Sequence, residues 1–225
     1  LLATDMKKTL HSITKKLENQ TTNYLSHFNI NNQNLKQMKN LKSIVLALVV
    51  AFATVSVSAQ TKKIDAAKSS INWLGKKVTG QHNGTVNFKD GALVFKGKKV
   101  AGGNFTVDMT SLTATDLTGE WLGKLNGHLK ADDFFGTDKF PTAKLVFKKV
   151  AVKSANVFTV TADLTIKGIT SPVTFDLATT ANAASTKFMV DRTKYDIKYG
   201  SGTFFTSIGD KAIADEFELD VNLKF

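Results

Sequence analysis

From Thr61 to Phe225 apolar and polar residues alternate singly far more often than they recur at helical spacing. Phe158, Val160, Ala162, Leu164 and Ile166 alternate with Thr159, Thr161, Asp163 and Thr165; Val173, Phe175 and Leu177 alternate with Thr174 and Asp176. Phe217, Leu219, Val221, Leu223 and Phe225 alternate with Glu218, Asp220, Asn222 and Lys224. Successive side chains of a strand point to opposite faces, so each segment carries one apolar and one polar face, as antiparallel strands with one face in a core do. Ser70–Val78, His82–Lys89, Ala92–Lys96, Lys99–Met109, Thr142–Val152 and Lys187–Ile197 read as further strands, less regular in pattern. Lys89-Asp90-Gly91, Lys96-Gly97-Lys98 and Lys167-Gly168 read as turns, and Asp108-Met109-Thr110-Ser111 as a turn that ends its strand. The chain therefore predicts an all-β fold, an antiparallel β-barrel of about eight strands, because closing such a sheet removes its exposed edges.

One segment departs from the period. In Thr118–Phe135 the residues Trp121, Leu122, Leu125 and Leu129 fall at helical spacing, with Thr118 as a cap and Asp116 and Glu120 near the positive end. Phe134, Phe135 and Phe140 follow. This predicts a short helical lid across one end of the barrel, with Trp121 placed to gate it. Phe88, Phe95, Phe105, Phe147, Phe158, Phe175, Phe188 and Phe217 sit at inward parity. Trp73, in step with Ile71, reads as core. An interior of about eight strands is just wide enough to be filled by side chains or to hold one ligand. The pattern leaves both open.

The first 59 residues follow other rules. Met38–Ala59 has a positive start at Lys39 and Lys42, an apolar run from Ile44 to Val55, and small residues Val57 and Ala59 before Gln60. That is the order of a secretory signal peptide, and the run is short for a membrane span. Residues 1–37 are polar, Asn- and Gln-rich and aperiodic. They are expected to be disordered sequence upstream of the true start. The expected division is thus an extension over 1–37, a signal peptide over 38–59 and the barrel over 60–225. Export by this route places the protein in the periplasm.

Composition narrows the chemistry. The net charge is +11, of which seven lysines against Asp5 and Glu18 put +5 in residues 1–59, leaving +6. The lysines of the barrel are scattered along strands and Arg192 is its only arginine, so nucleic acid is not an expected partner. The absence of Cys removes disulfides, thiolate metal ligands and a thiol nucleophile. His82 and His128, with Asp132 and Asp133, are residue types that suit a metal site or an acid–base pair, but the two His stand 46 residues apart and lack metal-ligand spacing. No metal or catalytic residue is assigned. Ser111 and Ser207 lack a nucleophile-elbow setting. Arg192 shares parity with Phe188 and Val190, pointing inward, either to an internal salt bridge with Asp132, Asp133 or Asp215 or to a ligand headgroup.

Five segments occur in order: His82-Asn83-Gly84-Thr85-Val86, Gly127-His128-Leu129-Lys130-Ala131-Asp132-Asp133-Phe134-Phe135, Phe140-Pro141-Thr142-Ala143, Ala162 through Val173, and Asp191-Arg192-Thr193-Lys194-Tyr195, before the closing stretch Asp215–Phe225. Together they resemble the YceI-like family of bacterial periplasmic proteins, over essentially all of Lys63–Phe225. Ala131 stands where many relatives have Ser. The resemblance implies an extended lipocalin-like barrel whose tunnel holds a long polyisoprenoid, such as a prenyl quinone or prenyl diphosphate, as ligand rather than cofactor, with no catalytic residues. The tunnel candidates are then Phe88, Phe95, Phe105, Leu125, Leu129, Phe134, Phe135, Phe147, Phe158, Leu164, Phe175 and Phe188. His82, His128 and Arg192 are the candidate headgroup contacts. The alternative is a filled barrel acting as an envelope interaction or stress-protection module. Exposed edges at a barrel seam would also permit a homodimer.

Overall fold

The computed structural model describes residues 14, 15, 17, 18, 58–205 and 209–225. The chain divides into two units, 1–56 and 57–225. In the first, the four described residues are helical and exposed. The expected signal peptide lies outside the described residues except for Ser58 and Ala59. In the second, nine strands are described: β1 Ala59–Lys63, β2 Ser70–Lys77, β3 Gly80–Lys96, β4 Lys99–Ala114, β5 Thr142–Ser154, β6 Val157–Ile166, β7 Ile169–Thr179, β8 Ala183–Asp191 and β9 Ile213–Lys224. Between β4 and β5 runs a helix, Gly119–Lys130.

All pairings are antiparallel between named strands, in the order β1-β3-β2-β9-β8-β7-β6-β5-β4. A further pairing of β3 with β4 joins the sheet to itself. Eight strands thus form a closed barrel, and β1 lies along the far half of β3, Ala59 opposite Lys96. Among the described residues the strand pairs and the core all fall within the second unit, so Ser58–Phe225 carries the whole barrel and its core.

Alternation sets the interior. β6 is the cleanest case: Phe158, Val160, Ala162, Leu164 and Ile166 are all buried, and their neighbours are half-buried. The β6–β7 hairpin closes through the two-residue turn Lys167-Gly168, both at positive φ (53° and 76°) and flanked by the pair Ile166–Ile169, as two-residue hairpins favour.

Three expectations need correction. Lys89-Asp90-Gly91 is no turn: β3 runs on from Gly80 to Lys96, with a bulge where Phe88 faces Val107 but Asp90 faces Thr106. A side chain at Gly91 would bring its Cβ 2.3 Å from the Phe105 ring, so glycine serves close approach here. Asp108–Ser111 likewise bulges within β4, with the Asp108 carboxylate accepting from the backbone N–H and hydroxyl of Thr110. β8 ends at Asp191, before Ile197, because Asp191 accepts from the Thr193 N–H and starts a 3-10 turn over Arg192–Tyr195.

The β7–β8 contact differs from the others. Only Ala178–Ser185 and Thr179–Ala184 pair, although β7 has eleven residues and β8 nine. Counting from the two-residue turn, Pro172 faces this edge rather than β6, where its missing N–H costs no ladder bond.

Gly84 is the tightest point of closure. A Cβ there would lie 1.9 Å from the Thr113 carbonyl oxygen and 2.6 Å from the Trp73 ring. Gly84→Ala is expected to destabilise the barrel by about 1–3 kcal/mol. Gly75→Ala, whose Cβ meets nothing within 4 Å, is expected to change stability by no more than about 0.5 kcal/mol. Urea unfolding followed by far-ultraviolet circular dichroism checks both.

Candidate functional site

The barrel interior holds two apolar cavities on its axis. The larger, about 190 Å³, lies under the helix and is lined by Ile71, Trp73, Val86, Met109, Leu112, Leu125, Leu129, Phe134 and Phe217 among others. The smaller, about 70 Å³, lies deeper, among Phe88, Phe105, Leu145, Phe147, Phe175, Phe188 and Leu223. Ile71, Val107, Leu164 and Leu219 line both, so the two abut. An apolar cavity of about 150 Å³ stays dry and takes up small hydrocarbons; the larger cavity exceeds that size.

Five phenylalanines ring the deeper cavity. Phe88 on β3 meets Phe105 on β4 at 6.0 Å between ring centroids, Phe105 meets Phe147 on β5 at 5.9 Å, and Phe147 meets Phe175 on β7 at 6.0 Å. Phe175 stacks on Phe188 of β8 at 4.7 Å and 21°. The ring skips β6 because Ala162, opposite Phe147 in the register, is too small to intervene. Across the short β7–β8 contact, side-chain stacking thus bridges where few backbone hydrogen bonds do.

The larger cavity opens at the helix end, where Lys76, Lys77, His82, Leu125, His128 and Glu216 line it. Thr118 precedes the helix in extended conformation but makes no side-chain cap; Asn126 fixes the helix instead, accepting from the Ala114 N–H at 2.8 Å and donating to the Thr113 hydroxyl at 2.9 Å. His82 Nδ1 lies 3.0 Å from the Asp116 carboxylate. His128 Nε2 lies 3.6 Å from Asp133, and its ring meets Tyr199 edge-on at 4.4 Å.

Arg192 is 2% exposed. Its guanidinium donates to four backbone carbonyls, of Ile197, Tyr199, Ile213 and Ala214, at 2.8–3.0 Å. Asp215 approaches it at 3.6 Å. Burial alone would raise the Asp215 carboxyl; the Ser201 and Thr203 hydroxyls, the latter donating at 2.5 Å, and the Arg192 charge hold it below its ordinary value. Arg192 therefore stitches the crossover from β8 to the start of β9, and its stem faces the larger cavity. Tyr195, in the same 3-10 turn, is also buried.

The candidates read from sequence distribute unevenly. Leu125, Leu129, Phe134, Phe135 and Leu164 line the larger cavity, with His82, His128 and Arg192. Phe88, Phe105, Phe147, Phe175, Phe188 and again Leu164 line the smaller. Phe95 and Phe158 line neither: Phe95 packs on Phe225 at 6.0 Å, and Phe158 is buried beyond the cavities, opposite Val152 and Leu177. The aliphatic lining of Ile71, Val86, Val107, Met109, Leu112 and Leu219 was not singled out as site, although its inward parity was there to be used. Trp121, expected as a gate, is 69% exposed. Among the described residues, no three His, Asp or Glu side chains gather so as to hold a metal ion.

The model of the YceI-like domain matches residues 63–225, the barrel from the last residue of β1 onward. This chain belongs to the YceI-like family. A UPF0312 protein of Shewanella denitrificans is 36% identical over 91 residues, 40% of this chain and 46% of that protein. A UPF0312 protein of Staphylococcus aureus strain USA300 is 48% identical over 52 residues, 23% of this chain and 28% of that protein. The chain spans under half the length of these curated relatives. Among solved structures, Burkholderia cenocepacia BcnA superposes with a TM-score of 0.59 at 23% identity, over 71% of this chain and 98% of that one, which shows the fold. A polyisoprenoid binding domain from Saccharophagus degradans, implicated in plant cell wall breakdown, gives 0.49 at 17% identity, over 74% and 97%.

Two predictions follow from the buried crossover of this YceI-like barrel. Arg192→Met leaves four carbonyls without their donor and is expected to cost about 3–5 kcal/mol, read from the urea midpoint. Burial pushes the Tyr195 phenol from 10.0 up to about 12. Below pH 10 the group is neutral folded or unfolded and contributes nothing. Between pH 10 and 12 only the unfolded chain ionises, so folding stability falls across that window. Phenolate absorbance of the folded protein should show one tyrosine held back to about pH 12, and Tyr195→Phe should remove that step.

Proposed function

We propose that this barrel binds and carries, or buffers, a long apolar lipid of the polyisoprenoid class, a prenyl quinone or prenyl diphosphate, in the periplasm, as a binding protein and not an enzyme. The observation that carries the reading is the pair of abutting apolar cavities on the barrel axis, open at the helix end and walled by aliphatic and phenyl side chains. Each methylene buried there is worth about 0.8 kcal/mol without any directional contact. A thin, branched, flexible chain suits such a space better than a wide rigid ligand. The polar groups gather at the mouth, where His82 and His128 keep exposed ring atoms beside the cavity. There they would meet a headgroup. Arg192 contributes as the brace of that wall, since its N–H groups are engaged by carbonyls. The apolar run and small residues over 38–59 support export, and with it the periplasmic assignment.

Expressing residues 38–225, so that the signal peptide exports the barrel, and purifying it from bacterial periplasm without detergent, followed by solvent extraction and mass spectrometry, tests this. A prenyl lipid at near one per barrel is expected. Leu164→Trp fills the junction that both cavities share, and occupancy is expected to fall on the order of tenfold. A wild-type barrel that yields no lipid, and takes up no added prenyl quinone, would sink the carrier reading in favour of a filled interaction module.

A further inference from the structure

The exposed aromatic side chains of the barrel are not spread over its surface. Among the described residues the large apolar side chains that stand exposed on the barrel are Val78, Trp121, Val146, Val152, Ile169, Met189, Tyr199, Phe204 and Phe205. Every aromatic in that set belongs to the helix end. They lie beside elements that line the mouth. Trp121 lies one and two turns before Leu125 and His128, on the helix stripe that lines the larger cavity, yet is 69% exposed. His128 meets Tyr199 edge-on at 4.4 Å. The neighbouring Lys198 sits over the Phe204 ring at 5.2 Å, and the Phe204 and Phe205 N–H groups both donate to the Ser201 carbonyl. Val78, 65% exposed, closes the circuit by donating its N–H to Ala212, next to Ile213 of the cavity wall.

A water-facing ring of Trp, Tyr and Phe is costly for a surface that meets only solvent, and patches of this kind mark interaction sites. Its makeup distinguishes the partner. Trp and Tyr, with Lys stems beside them, are the residues that settle at the boundary between headgroups and acyl chains. Charge at the rim is mixed: Lys124 pairs with Glu120 at 2.7 Å and Lys198 with Asp196 at 2.8 Å, while Lys76, Lys77 and Glu216 line the opening. The feature that distinguishes the rim is the attraction of its apolar side chains for an apolar layer.

We infer that the rim formed by Val78, Trp121, Tyr199, Phe204 and Phe205 docks the barrel mouth-down on a lipid bilayer, its aromatic side chains entering the headgroup layer. This deepens the carrier reading, since a docked mouth lets an isoprenoid pass between bilayer and tunnel without crossing water. The contact itself depends only on the rim.

The test floats Ser58–Phe225 with phosphatidylcholine vesicles in a density gradient, at low and high salt, and follows Trp121 emission. Wild type is expected to co-float at both salt concentrations, with a blue shift of the emission. Replacing Phe204 and Phe205 by Ser, or Trp121 by Ser, should lower partitioning on the order of tenfold. Phe204 and Phe205 are nearly half exposed and Trp121 more so, so the fold should tolerate the changes, which unchanged circular dichroism verifies. Val152→Ser, an equally exposed apolar change at the opposite end, should leave partitioning unchanged. Failure of wild type to co-float overturns the inference. So does equal partitioning of the rim variants, an equal loss in Val152→Ser, or binding that needs anionic lipid and vanishes in salt. Uptake of a soluble short-chain prenyl quinone, measured without vesicles, reports separately on the carrier reading.

Discussion

The pairing of the two longest strands, Gly80–Lys96 with Lys99–Ala114, turns a sheet with two free edges into a barrel. Its geometry is exacting. The strands must bulge at Asp90 and again over Met109–Leu112 to keep their inward residues facing the axis, and they approach so closely at Gly84 that no side chain fits. Bulges sharpen twist and bend strands, which is what closing a small barrel requires. The Phe88–Phe105 contact that starts the aromatic ring exists only because these two strands meet. From there phenyl rings carry the packing round to Phe188.

The same closure accounts for the space inside. Eight strands leave an interior that side chains can just fill, and the girdle of phenylalanines nearly does so at its own level. Above it, toward the helix, inward positions pass to Ile71, Val86, Val107, Leu112 and Ala143, which reach less far, and the larger cavity opens. Arg192 holds that end in shape. A buried charge is tolerated because four carbonyls and a nearby carboxylate replace the water it has lost. The crossover so pinned carries Tyr199 and Phe204 to the mouth, so the interior brace also sets the outer rim.

Alternation made β6 and β9 legible residue by residue, and a helical period made the helix legible over Gly119–Lys130. The limits of such reading are physical. Asp and Gly serve a turn and a bulge equally well, so Lys89-Asp90-Gly91 read as the end of a strand when it is a kink in the middle of one. Parity tells which side of a sheet a residue faces but not its height along the barrel axis. Phe158 and Phe175 share inward parity, yet one is buried past the cavities and the other rings the deeper one. The inward course of Arg192 was visible from parity, and Asp215 was among its named partners. The carbonyls it serves, 21 and 22 residues onward, carry no side-chain signature at all. The exposed aromatics were hidden for the opposite reason, because an apolar residue in a loop looks the same whether it folds inward or stands in solvent.

The brief contact between β7 and β8 has a mechanical meaning. A barrel hydrogen-bonded all the way round has a fixed circumference, since widening it means breaking a whole ladder at once. Here two register pairs at one end act as a hinge, and above them the wall is held by the Phe175–Phe188 stack and by Tyr195 behind it. Rings can slide over one another at little cost where hydrogen bonds cannot stretch. The wall is built as a split collar, closed by backbone hydrogen bonds at one end and by side-chain packing at the other.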